Sequence, residues 1–166
     1  MPGPAINQHL LTVALADEGS TTFTEYVDVL RLAFRSCRDR YPFDFTAGVI
    51  LPDHLHCILA LPAGDVARDA RWRLLRILLE RVAGGAGVWR SFEDRPLGGE
   101  TELQREIDCI HADPVRHGLV GSPRSWPFSS LHAYIQQGLR PLHWCEIDPG
   151  CGVRAPATAS SSRAAV

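Results

Sequence analysis

Two histidines, His54 and His56, lie one residue apart inside VILPDHLHCILALP, Val49–Pro62, where Asp53 is the only other ionisable group besides the thiol of Cys57. In an extended strand, residues two apart project from the same face at a separation of roughly 6.5–7 Å. His54 and His56 therefore point one way, and Leu55, Cys57 and Leu59 the other. Two neutral imidazoles on one face suit a shared divalent cation. They equally suit a polar, solvated sheet face, and the spacing alone leaves both readings open.

A cation needs further ligands, and a later helix offers them. At about 100° per residue, Glu102, Glu106, Cys109 and Asp113 fall on one stripe roughly 60° wide, off the stripe of Leu103, Ile107 and Ile110. The glutamates also suit a solvated face, and Cys109 a small buried residue. Asp113 precedes Pro114 and has a competing role as the N-cap of a following helix.

The elements that must position these residues follow from periodicity. HLLTVAL, residues 9–15, reads as an opening strand. From Thr22 to Arg40, apolar residues recur at three- and four-residue steps, which predicts an amphipathic helix with Arg31, Arg35 and Arg38 near its exposed side. Residues 43–51 and 53–61 form two apolar runs joined at Pro52, which marks a bend or an edge. A helix follows over Val66–Val82 and ends at GGAG, 84–87. VWRSFEDRPLGG reads as a strand and a loop. Thr101 with Gln104 reads as a capping box opening the helix that carries the acidic stripe. Beyond Pro114 shorter helical or irregular pieces are expected. The small-residue-rich segment 149–166 has no periodicity and is expected to be a disordered tail. The element order predicts an α+β fold, an antiparallel sheet with helices packed mainly on one face, and one domain over residues 1–148.

The 166 residues are 45% hydrophobic, enough for a real core. No apolar run is long enough to span a bilayer, and the start lacks signal-peptide character, so a cytoplasmic location and no membrane partner are expected. The five cysteines form no CxxC pair, which favours reduced thiols. All 17 basic residues are arginine and the net charge is −2. That balance argues mildly against nucleic-acid binding, but residues 31–145 hold 15 arginines against 13 acids. The acidity is terminal.

LPDHLHCILALP, RWRLLR, VWRSFEDRPL, EIDCIHADPVRHGLV and WPFSSLHAYIQQGL, in that order between Phe43 and Trp144, resemble the successive motifs of the REP-associated tyrosine transposases, bacterial members of the HUH single-strand DNA nuclease superfamily. The resemblance implies a ferredoxin-like sheet, the HUH endonuclease fold, whose central strand presents the histidine pair. It implies a metal site of His54, His56 and Asp113, filled by magnesium or manganese ahead of zinc. It also implies cleavage and rejoining of single-stranded or hairpin DNA by a helix tyrosine, in a monomer or homodimer. Cys109 stands at that tyrosine's position, which predicts impaired cleavage. A DNA-binding relative without chemistry, and a zinc protein with no DNA role in which Cys109 joins the histidines, are the alternatives. Tyr26, Tyr41 and Tyr134 are the candidates to replace the missing nucleophile. Arg73, Arg76, Arg90, Arg95 and Arg116 are the principal candidates for DNA contact, with Arg71 and Arg124 behind them. The acidic TVALADEGSTT departs from the basic residues usual at this point of the family.

Overall fold

The computed structural model describes residues 7–144; the expected disordered tail at 149–166 lies outside them. Four strands, β1 (Gln8–Leu15), β2 (Asp44–Ile50), β3 (His54–Ala60) and β4 (Trp89–Pro96), form one sheet in the order β2-β3-β1-β4. Every neighbouring pair is antiparallel. Helices α1 (Thr22–Glu25) and α2 (Val27–Arg40) follow β1, and α3 (Arg68–Ala83) follows β3. Helix α4 (Glu100–Arg116) follows β4, and a short 3₁₀ turn at Pro123–Ser125 leads to α5 (Leu131–Gln136). This is the expected ferredoxin-like α+β arrangement.

Alternation along the strands assigns the two faces. Leu11, Val13 and Leu15 of β1 and Leu55, Cys57 and Leu59 of β3 pack with Leu30, Cys37, Leu75 and Leu79 of α2 and α3. The other face takes Ala47 and Val49 of β2 and Ile58 of β3, packed against Leu103, Ile107 and Ile110 of α4. His54 and His56 share the parity of Ile58, so the pleat turns them toward α4.

Several local expectations are corrected. The helix expected over Thr22–Arg40 breaks at Tyr26, whose φ of −111° and ψ of 29° end α1 and begin α2. Thr101 does not cap α4: the helix already includes Glu100, with Gly99 before it and no side-chain cap bond. Instead Glu102 accepts a 2.6 Å hydrogen bond from the Gly98 N–H, and Gln104 donates to Glu100 at 2.8 Å. An acidic side chain thus satisfies a free donor beside the helix start, as the macrodipole favours. Asp113 is not an N-cap, because α4 continues through Pro114 to Arg116. The missing proline N–H leaves the carbonyl one turn earlier without its usual donor, a cost confined here to the last turn. VWRSFEDRPLGG, by contrast, holds the expected strand and loop, with β4 at the edge of the sheet.

Arg71 is also reassigned. Its side chain is 1% exposed, pairs with Asp65 at 2.6 Å, and donates to the carbonyls of Tyr41 and Pro42. It fastens α3 to the loop before β2 and leaves almost no guanidinium surface open to solvent. Among the described residues, no helix is long and apolar enough to cross a membrane.

Candidate active site

The site starts from the β2–β3 turn. Pro52 and Asp53 form a tight reversal in which Leu51 N–H bonds to the His54 carbonyl at 2.8 Å. Backbone donors from outside hold it: Leu15 N–H reaches Asp53 O at 2.8 Å, and Phe23 N–H reaches Pro52 O at 3.0 Å. The turn therefore places the Asp53 carboxylate against His54, where Oδ1 accepts from Nδ1–H at 2.6 Å. That contact directs the lone pair to Nε2, the arrangement that orients metal-binding imidazoles elsewhere.

Register positions the second histidine. His56 lies opposite Thr12 on β1, and its Nδ1 is 3.0 Å from Thr12 Oγ1. Its Nε2 lies 3.3 Å from Asp113 Oδ2. The two imidazoles meet edge to face with centroids 5.4 Å apart. Burial lowers the His56 pKa to about 4, with Asp113 opposing and His54, His117 and Arg116 reinforcing the shift. The ring is thus neutral near pH 7, the form a metal requires.

Asp113 is 6% exposed and stands at the meeting point. Its Oδ1 lies 3.4 Å from Arg116 and 3.9 Å from His117 Nε2. Ligand-capable atoms of His54, Asp113 and His117 all fall within 4.8 Å of one another, and the His54 and His117 rings are 4.6 Å apart. The sequence reading missed His117. Its signal was present, since position 117 is one helical turn beyond Asp113, but the helix was expected to end at Pro114. The donor set of imidazoles and a carboxylate fits a divalent cation.

Cys109 lies one turn before Asp113 and is partly exposed. Burial raises its thiol pKa most; Glu106 and Asp113 add to the shift and Arg116 and Arg105 oppose it. The thiol is therefore protonated near neutral pH. Neither Cys109 nor His56 joins His54, Asp113 and His117 in the cluster of ligand atoms, although His56 Nε2 lies 3.3 Å from Asp113 Oδ2. Of the three tyrosines, Tyr134 is engaged elsewhere, its hydroxyl donating to the Thr46 carbonyl at 2.9 Å. Tyr26 sits between α1 and α2, and Tyr41 ends α2.

The candidate arginines are distributed unevenly. Arg116 borders Asp113, and Arg90 lines a cleft with His54, His117 and Glu18, pairing with Glu18. Arg95 is engaged by Glu102 and, at 2.9 Å, by Glu106 on the acidic stripe. Arg73 and Arg76 belong to α3 on the opposite layer, where Arg76 pairs with Glu80 at 3.2 Å.

The serines of WPFSS act structurally. His111, fully buried, has Nε2 2.8 Å from Ser130 Oγ, which accepts from Gly48 N–H at 2.9 Å. This chain of bonds ties α4 to β2. Burial first, then Arg140 and His132, lower the His111 pKa to about 4.

No protein-family profile matches the chain. A REP-associated tyrosine transposase of Escherichia coli K12 is 33% identical over 134 residues, 80% of this chain and 81% of that protein. A relative in Haemophilus influenzae Rd, whose name places it in the same family, is 28% identical over 82% of this chain and 86% of its own length. A solved structure described as a REP-associated tyrosine transposase bound to a REP hairpin superposes with a TM-score of 0.78 at 30% identity, covering 93% of this chain and 95% of that one.

Proposed function

The chain belongs to the REP-associated tyrosine transposases, and from that premise we propose that it binds hairpin-forming single-stranded DNA and places a phosphate beside a divalent cation held by His54, His56 and Asp113. The observation that carries this reading is the convergence of Asp113 from α4 on the end of β3: its ligand atoms cluster with those of His54 and His117, and His56, outside that cluster, reaches Asp113 Oδ2 with Nε2 at 3.3 Å. A bound cation supplies Lewis-acid polarisation of a phosphoryl oxygen. Magnesium or manganese suits the carboxylate, while the imidazoles favour manganese over magnesium.

The protein's own groups set the rest. Asp53 fixes the His54 tautomer, Thr12 fixes the His56 ring, and Arg90 and Arg116 are the arginines best placed to hold phosphate oxygens near the cup. Arg73, Arg76 and Arg95 make more distant contacts with the DNA backbone. Residues 1–148 act as one domain in this reading.

Cys109 occupies the nucleophile position implied by the family motif. A protonated thiol, shorter than a phenol, is a poor attacking group for a diester phosphorus. The native chain therefore recognises hairpin DNA with its cleavage step impaired. With tyrosine at 109, the phenolic oxygen bonds to phosphorus, the 3′-oxygen leaves, and a 5′-phosphotyrosyl link forms.

The test is a denaturing gel of native protein and Cys109→Tyr, each incubated with a hairpin oligonucleotide bearing a single-stranded flank and manganese. A covalent adduct is expected only with Cys109→Tyr. A native adduct mapping to Cys109 overturns the impairment, and absence of hairpin binding by the native protein at low salt overturns the DNA reading itself.

A further inference from the structure

On the face of the sheet that carries Leu55 and Cys57, a cavity of about 430 Å³ opens between α2 and the β2 edge, with His56 of β3 also in its lining. The size falls within the usual range of small-ligand sites. Its walls include Phe34, Phe45 and Phe128, with Arg35 and Arg38 on the rim. Phe45 is 50% exposed and lies against Gly48, where a Cβ would stand 2.5 Å from the ring. Glycine thus lets the ring settle on the strand with part of its surface facing the cavity.

The rim carries charge that the fold does not use. Arg35 and Arg38 are exposed, one helical turn apart on α2, and neither pairs with an acid among the described residues. Their neighbour Arg31 is held by Asp28 at 3.2 Å. Two uncommitted guanidiniums beside aromatic walls are the pairing that grips single-stranded nucleic acid: charge on the backbone and π-faces under the bases.

We propose that this cavity binds an unpaired nucleotide of the DNA flanking the hairpin, its base against Phe45 and Phe128 and its phosphates on Arg35 and Arg38. The inference rests on the hairpin-binding function proposed above. Because α2 and α4 cover opposite faces of the sheet, the cavity lies across β3 from Asp113, and His56 is the residue that borders both. The cavity contributes affinity for the flank and takes no part in strand cleavage.

The test measures binding by fluorescence anisotropy to a palindromic hairpin with an oligothymidine flank, and to the same hairpin without it. Phe45→Ala should weaken binding to the flanked hairpin by at least about fivefold, the lower range for losing one base stack. The double variant Arg35→Gln/Arg38→Gln should weaken it too and flatten the log-affinity against log-salt slope by about 1.4, for two single-strand phosphates. Neither change should alter binding to the bare hairpin or manganese affinity by calorimetry, and Phe45→Leu should behave as Phe45→Ala does. 2-Aminopurine in the flank should be quenched by the native protein and not by Phe45→Ala. Equal weakening on both DNAs, or no weakening on either, overturns the cavity while the hairpin function stands. Native protein that binds neither DNA overturns both. A lower melting temperature of the DNA-free arginine variant assigns the rim to the protein's own chain and also overturns the cavity.

Discussion

The two faces of the sheet are built from alternate residues of the same strand, and they have been given opposite work. On one, Leu55, Cys57 and Leu59 meet α2 and α3 in a dry core. On the other, His54 and His56 share the surface with Ile58 and face Asp113 across the end of α4. The polar site occupies only the turn end of its face; Ile58 and the middle of α4 keep the rest apolar. A site built this way takes its rigidity from a core it does not share. Polar groups can then be arranged for ligand binding at small cost to stability.

The largest effects should come from the dry side. Asp65→Asn breaks the buried ion pair with Arg71 and strands a guanidinium, which should cost about 3–5 kcal/mol in chemical denaturation. The native pair also predicts a pH dependence. The hydrogen bond from Arg71 is the leading cause that holds the Asp65 carboxyl below its usual range. Its contribution is therefore complete above the unfolded carboxylate range and is lost as pH falls toward the lower folded value. Asp65→Asn should flatten that acid limb, and an unchanged limb would show that other carboxylates set it.

Leu55→Ala comes next. Leu55 is 1% exposed, and its truncation should cost about 3 kcal/mol through lost burial and a residual cavity. Its neighbour His56 supplies the contrast. His56→Ala removes the hydrogen bond to Thr12 and the contact with Asp113 and should cost about 1–2 kcal/mol, while weakening manganese binding measured by calorimetry. Equal stability losses at 55 and 56 would break the division between the faces.

The smallest effect is one of reactivity. Cys37 and Cys57 are buried, and burial raises the Cys37 pKa to about 11 and that of Cys57 higher. Cys109 is partly exposed. Site-resolved mass spectrometry after brief alkylation at mildly alkaline pH should find Cys109 modified before Cys37 and Cys57. Faster modification of Cys57 would mean that the dry face opens on its own.

Much of this was legible in the sequence because it depends on period. The two-residue alternation assigned His54 and His56 to one face and Leu55 and Cys57 to the other, and the helical period grouped Cys109 with Asp113. The misplaced features turn on local choices that competing contacts decide. Thr101 and Gln104 have the composition of a capping box, but Glu102 reaches the free Gly98 N–H and the helix starts earlier. Asp113-Pro114 reads as a boundary, yet a proline in a last helical turn is tolerated, and this tolerance brings His117 into the cup. Arg71 looks like any surface arginine until Asp65 and two backbone carbonyls surround it.

The chain by itself therefore determined the strand that carries His54 and His56 and the helix that carries Cys109 and Asp113, since each is a matter of residue type and spacing along one element. Tertiary structure alone decided which atoms meet. Thr12 faces His56 because β1 and β3 pair in that register, Asp113 reaches it because α4 packs on that face, and Arg35 and Arg38 border an aromatic cavity because α2 lies beside the β2 edge. Spacing fixes direction within an element, whereas distance between elements is set by the packing of both cores at once.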